Sequence, residues 1–192
     1  MRTTIIAAIA MMLTVSCHAQ QNTRQTAKDA VLDNIFARTS VRAFTDQPVP
    51  EEMVETLLKA GMAAPTAMNS QPWSFVVIND KGILNECGVS YNPPMAIVVC
   101  GDYIDKDGNE KPYWEHDCSA ATENILLAAQ ALGLGAVWTA GYPGIARIAH
   151  AREVLGLPEN IMPLCIIPIG YPAGDNQPKD KWDPAKVHYN KW

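Results

Sequence analysis

Three short, β-rich, largely apolar runs, Ser74–Ile78, Met95–Cys100 and Leu164–Ile169, constrain this chain more than any other feature. Each is closed off by Pro, Asn, Asp or Gly, the pattern of a strand buried in a sheet. Ala136–Thr139 reads as a further strand, and Pro168 inside the last run predicts a sheet edge or a bulge there, because proline cannot donate to a strand ladder. Helical periodicity begins around Ala30 and stops before Thr45–Pro50. A second helix starts at Pro50-Glu51-Glu52, with acidic residues in its first turn, and runs to about Gly61. Ala120–Leu132, ended by Gly133, is the most apolar helix and a candidate core or dimer helix; Ile145–Leu155 is another. Helices alternate irregularly with strands of a mainly antiparallel sheet, so the class is α+β. The 192 residues, 48% hydrophobic, suffice for one domain.

Between two helical segments lies Arg38-Thr39-Ser40-Val41-Arg42. Two guanidinium groups four positions apart offer forked donors that match phosphate oxygens, and Ser40 with its neighbouring N–H groups can complete the set. The same residues also suit a solvated helix end, with Arg38 favourably placed on the dipole. Lys179 and Lys181, near the C-terminus, read on their own as a solvated tail. Pro65-Thr66-Ala67-Met68-Asn69-Ser70-Gln71 is a loop of short hydrogen-bonding side chains that serve equally as turn formers. Trp73 beside it suits core packing better than stacking on a cofactor. Ala140-Gly141 follows a strand, where small residues permit close approach of a ligand or a left-handed strand exit.

The order and spacing of Arg38–Arg42, Pro65–Trp73, Gly133–Trp138 and Lys179–Trp182 resemble the nitroreductase family of FMN flavoproteins, over roughly residues 30–192. The resemblance implies a three-layer sandwich with helices flanking a central sheet. It also implies a homodimer with an exchanged C-terminal extension. Cofactor-binding roles then fall on Arg38, Thr39, Ser40, Arg42, Lys179 and Lys181 at the FMN phosphate, on Pro65, Thr66, Ala67, Asn69 and Gln71 from the partner subunit, on Asn92 at the pyrimidine edge, and on Ala140 and Gly141 facing N5. Lys181 stands where the family often has Arg, which keeps attraction but loses the bidentate fork. The implied activity is ping-pong: transient NADH or NADPH gives a hydride to flavin N5, and a nitroaromatic, quinone or similar small acceptor takes it. No catalytic side chain is implied, since the redox chemistry belongs to the cofactor. Neither a Ser-His-Asp arrangement nor a Gly-x-Gly-x-x-Gly turn is present in the sequence.

The net charge of −5 argues against a nucleic-acid binder. Cys87, Cys100, Cys118 and Cys165 are far apart in sequence, mostly in apolar contexts, and read as buried thiols rather than disulfides or metal ligands. Met1-Arg2 followed by apolar Thr3–Ser16 reads as an export signal, either residues 1–19 with cleavage before Gln20 or residues 1–16 with a lipid anchor on Cys17. Residues 20–29 are then a polar tether, and the location is the periplasm or cell envelope. Export implies little free NAD(P)H, which sustains two alternatives: an envelope flavin-binding protein without turnover, and a specialised flavin dehydrogenase or dehalogenase. The latter needs a lid, for which Asp102–Glu115 is the one candidate, reading as a short mobile loop.

Overall fold

The computed structural model describes residues 26–192; the export signal, Cys17 and the tether up to residue 25 lie outside them. The chain divides at Ala37/Arg38 into two compact units. In the first, residues 26–37 form helix α1, which begins four residues before the expected start at Ala30 and so includes part of the predicted tether.

The second unit holds α2 (Glu51–Met62), β1 (Trp73–Ile78), α3 (Lys81–Glu86), β2 (Met95–Asp102), α4 (Trp114–Ala131), β3 (Gly135–Ala136), β4 (Thr139–Ala140), α5 (Ile145–Leu155) and β5 (Ile161–Gly170). The strands form one antiparallel sheet in the order β1-β2-β5-β3, with β4 also on β5. Alternation along β2 assigns the layers. Ile97 and Val99 face Leu57 of α2 and Trp114, Cys118, Ile125 and Ala129 of α4. Ala96, Val98 and Cys100 face Leu84 of α3 and, at the margin, Val154 and Leu155 of α5. The sandwich is therefore three-layered and α+β, and α4 is a core helix of this chain.

Pro168 departs from expectation. β5 is a central strand, and the bulge lies at Leu164, where the register steps from Val99↔Cys165 to Cys100↔Pro163. Leu164 and Cys165 consequently join the same core layer. The Pro168 carbonyl accepts from the Val137 N–H, so its donorless nitrogen points the same way. There Val137-Trp138 interrupts the ladder between β3 and β4, and no donor is missed. The strand predicted over Ala136–Thr139 is thus two short strands around that gap.

The predicted mobile loop after β2 is an ordered hairpin. Ile104 bridges Glu110, the Asp105 carboxylate accepts N–H bonds from Asp107 and Asn109, and Lys111 pairs with Asp102. Burial raises the Asp102 pKa, but hydrogen bonds from Lys111 and Asn160 outweigh it and hold the carboxyl below the ordinary range. Helix α4 then starts at Trp114, six residues ahead of the expected Ala120.

At the other end of the sheet, Ser40 forms a parallel bridge to Ala136 and Val41 N–H donates to Ala136 O. Val41 is buried against Gly135: a Cβ built on Gly135 would lie 2.5 Å from Val41 Cγ1 and 2.7 Å from its Cβ. Beyond it, Phe44 bridges Pro172, with Thr45 N–H donating to Tyr171 O and Ala173 N–H to Ala43 O. The segment before α2 is thereby tied to both the sheet and the chain leaving β5.

Two outcomes follow from this packing. Gly135→Ala forces Val41 off its seat and should lower apo-protein stability by about 1–3 kcal/mol, read as a lower urea midpoint. Cys100, Cys118 and Cys165 are buried, and desolvation pushes each thiol up to about 12. They should resist alkylation in the native protein at pH 8. Because the unfolded thiols ionise near their ordinary 9.0, stability should fall as pH rises above that value.

Candidate functional site

Extended backbone at Ser40 and the burial of Val41 turn the side chains on either side of it to the opposite face. Arg38, Thr39, Ser40 and Arg42 line a cavity of about 280 Å³, and its other wall is Asp175, Asn176, Gln177, Lys179 and Lys181. The pairing of 43–45 with 171–173 brings the two walls together, and Thr39 Oγ1 adds a bond to Gln177 O at 3.3 Å. Four cations thus converge from stretches separated by most of the chain. Lys179 and Lys181 thus line the same cavity as Arg38 and Arg42, and the tail meets its own chain at Thr39 and Gln177.

Two contacts orient the clamp. Arg38 Nε lies 3.5 Å from Glu123 Oε1 of α4, with the Arg38 side chain 18% exposed. That pair occupies one edge of the guanidinium and leaves the terminal nitrogens for a ligand. Arg42 Nη1 reaches Ser40 O at 3.5 Å. Glu123 was not foreseen from sequence, because an exposed glutamate on a helix carries no local signal.

The 65–71 loop does not line that cavity. Its centre, Ala67–Asn69, is a short 3-10 turn, and Met68, Asn69 and Gln71 have φ of 54°, 55° and 46°, left-handed values uncommon for residues with a Cβ. The loop is held at several points. Ala67 N–H donates to Asp117 Oδ1 at 2.8 Å and Ser70 Oγ to Asp117 Oδ2 at 3.1 Å. Gln71 N–H donates to Thr66 Oγ1 at 3.2 Å, and Gln71 Nε2 to Asn69 Oδ1 at 3.0 Å. The N–H groups of Asn69, Ser70 and Gln71 are committed inside the loop and that of Ala67 to Asp117, so from its side chains the loop offers a ligand the exposed amide nitrogen of Asn69 and amide oxygen of Gln71, one donor and one acceptor. Pro65 is exposed and leads into the turn. Asp117 has a signal in hindsight: it shares the i, i+4 stripe with buried Ala121 and Ile125, a carboxylate on an apolar face.

The remaining predicted residues lie apart from the cavity lining. Asn92 is exposed, with φ 46°, and accepts from Lys81 Nζ at 3.4 Å; Lys81 also pairs with Asp46. Ala140 is exposed on β4, paired with Cys165. Gly141 has no left-handed φ, so that explanation for it fails. A Cβ there would lie 3.0 Å from Leu164 O, the oxygen to which Gly141 N–H donates, and close backbone packing is what demands glycine. Trp73 is half-buried and stacks on Phe75 with ring centroids 5.9 Å apart, as core packing predicts.

A larger concavity, about 990 Å³, runs beside edge strand β1 and is lined by Val49, Val54, Leu58, Val77 and Met95 with Glu51, Glu52 and Glu55. Its three carboxylates would repel a phosphate, whereas the four cations lining the smaller cavity would attract one.

The nitroreductase family model matches residues 35–87 and 84–171. A solved protein of Bacteroides thetaiotaomicron is 46% identical with a TM-score of 0.79, covering 85% of this chain and 98% of that one. An FMN-dependent nitroreductase of Clostridium difficile R20291 is 30% identical with a TM-score of 0.75, covering 84% and 99%. The NADPH-flavin oxidoreductase of Vibrio harveyi is 32% identical over 181 residues, 84% of this chain and 74% of its own.

For the clamp, Arg42→Ala should remove a charge-assisted contact worth about 1.5–3 kcal/mol and weaken FMN binding roughly tenfold or more, with the apo fold intact. Arg38→Ala should weaken it further, because it also leaves the carboxylate of Glu123 without its cation. Fluorescence titration of apo-protein with FMN checks both.

Proposed function

This chain belongs to the nitroreductase family, and from that premise we propose that it is an FMN-dependent NAD(P)H oxidoreductase acting on nitroaromatic, quinone or similar small electron acceptors. The observation that carries the reading is the cavity in which Arg38, Ser40, Arg42, Lys179 and Lys181 converge. Its donor set fits a phosphomonoester: guanidinium forks, ammonium point charges and a hydroxyl around a space far smaller than a dinucleotide needs. Adjoining Asp175 bonds to Gln177 Nε2 at 2.7 Å, which gives that carboxylate a partner within the wall.

When bound, FMN would supply the two-electron redox chemistry between NAD(P)H and the acceptor. The protein's part is to bind and orient. Arg38, held by Glu123, and Arg42 would hold the phosphate from one wall, and Lys179 and Lys181 from the other. Asn69 and Gln71 present an amide donor and acceptor to a polar ring edge. Gly141 keeps the β4 exit flat against β5.

We propose further that the protein is a homodimer in which the chain after Lys181 reaches a second copy. Trp182, Tyr189 and Trp192 are 75%, 83% and 100% exposed, a cost that burial against a partner would remove. The 65–71 loop, absent from the lining of its own chain's phosphate cavity, then serves the partner's flavin. The N-terminus is proposed to direct export to the cell envelope, cleaved before Gln20 or lipidated at Cys17.

The purified protein should be yellow, release FMN rather than FAD on heating, and bleach anaerobically on addition of NADH or NADPH. Flavin that stays oxidised with both nucleotides would favour the flavin-binding protein without turnover; sedimentation as a monomer that retains FMN would refute the shared site.

A further inference from the structure

Asp117 is 5% exposed, in the first turn of α4, and both its carboxylate oxygens are bonded to the 65–71 loop: Oδ1 to Ala67 N–H at 2.8 Å and Oδ2 to Ser70 Oγ at 3.1 Å. Burying a carboxylate is unfavourable unless its hydrogen bonds are regained, and an apolar residue on this stripe would join α4 to its neighbours with less desolvation. Packing alone therefore does not account for Asp117. What a carboxylate adds is a fixed direction for the Ala67 N–H and the Ser70 hydroxyl. Those two points bracket Met68 and Asn69, both left-handed, with Gln71 left-handed just beyond. Such a backbone persists in residues with a Cβ only where its surroundings over-determine it. The bonds of Thr66 to Gln71 and of Gln71 to Asn69 lie within the loop and move with it. The Asp117 bonds tie it to the core.

We infer that Asp117 is the positioning residue that sets the 65–71 loop in the conformation that presents Asn69 and Gln71 to the flavin ring. The inference rests on the flavin reading above. It separates two halves of the binding energy by location: the Arg38–Lys181 cavity holds the phosphate, and the Asp117-held loop serves the ring. Asp117 touches the phosphate cavity nowhere in its lining.

Apo-protein titrated with FMN and with riboflavin, which lacks the phosphate, tests this. Asp117→Ala should raise the dissociation constants of both flavins by the same factor, about tenfold or more, because two bonds to a charged group are lost. Arg42→Ala should weaken FMN and leave riboflavin unchanged. Asp117→Asn retains an oxygen for Ala67 N–H and an NH₂ for the Ser70 oxygen, so it should fall between Asp117→Ala and the parent. If Asp117→Ala does not fold, Asp117→Asn and Ser70→Ala, each of which weakens the tie without removing it, carry the same comparison. Riboflavin affinity equal to the parent's in all of these variants, even with a lower urea midpoint, would show a merely structural residue and overturn the inference. An effect confined to FMN would overturn it too, by placing Asp117 with the phosphate. A parent protein that binds neither flavin would instead fail the flavin reading itself, and this inference with it.

Discussion

Val41 seated on the bare backbone of Gly135 is the contact on which the site depends. At 2.5 Å from where a Cβ would stand, the valine needs glycine opposite it, and in return Ser40 pairs with Ala136 as a parallel extension of the sheet. Alternation does the rest, because once Val41 points inward, Arg42 and Ser40 must point out. A cluster that in isolation is a solvated turn becomes one wall of a cavity. The second wall arrives by the same means, since chain leaving β5 pairs with residues 43–45 before it reaches Lys179.

The two proposed ligand-facing pieces are held in unlike ways. The phosphate wall is extended backbone on a sheet edge, unstrained and fixed by ladder bonds. The 65–71 loop is left-handed at three residues and fixed by a buried carboxylate some fifty positions away. A sheet edge gives a precise, rigid row of side chains but only one geometry. A loop can present adjacent amides in a direction no strand allows, and needs an external anchor because its own backbone resists that shape.

Much of this was legible in the sequence. The apolar runs at 95–100 and 164–169 are strands buried on both faces, the run at 74–78 is an edge strand with Ser74 and Val77 exposed, and Pro50-Glu51-Glu52 opens α2 because an acidic first turn suits the helix dipole. What stayed hidden depends on partners distant along the chain. Pro168 reads as an edge residue until the gap at Val137-Trp138 is known to lie opposite its nitrogen. The start of α4 is masked by the polar residues Glu115, His116 and Asp117, of which Asp117 is buried against a loop some fifty positions away. Asn92 was matched by position alone, and its bond to Lys81 has no local sequence signature.

Bringing four cations together within about 280 Å³ is unfavourable for an empty protein, even one whose net charge is −5. Salt and solvent screen part of that repulsion, and Glu123 and Asp175 screen more, but a bound dianion removes it most directly. The cations lie on two stretches that the pairing of 171–173 with 43–45 brings side by side. The two walls differ in chemistry: the lysines at 179 and 181 bring point charges on flexible stems, whereas the two arginines flanking the Ser40–Ala136 bridge bring planar forks, which select for the geometry of a dianion as well as its charge.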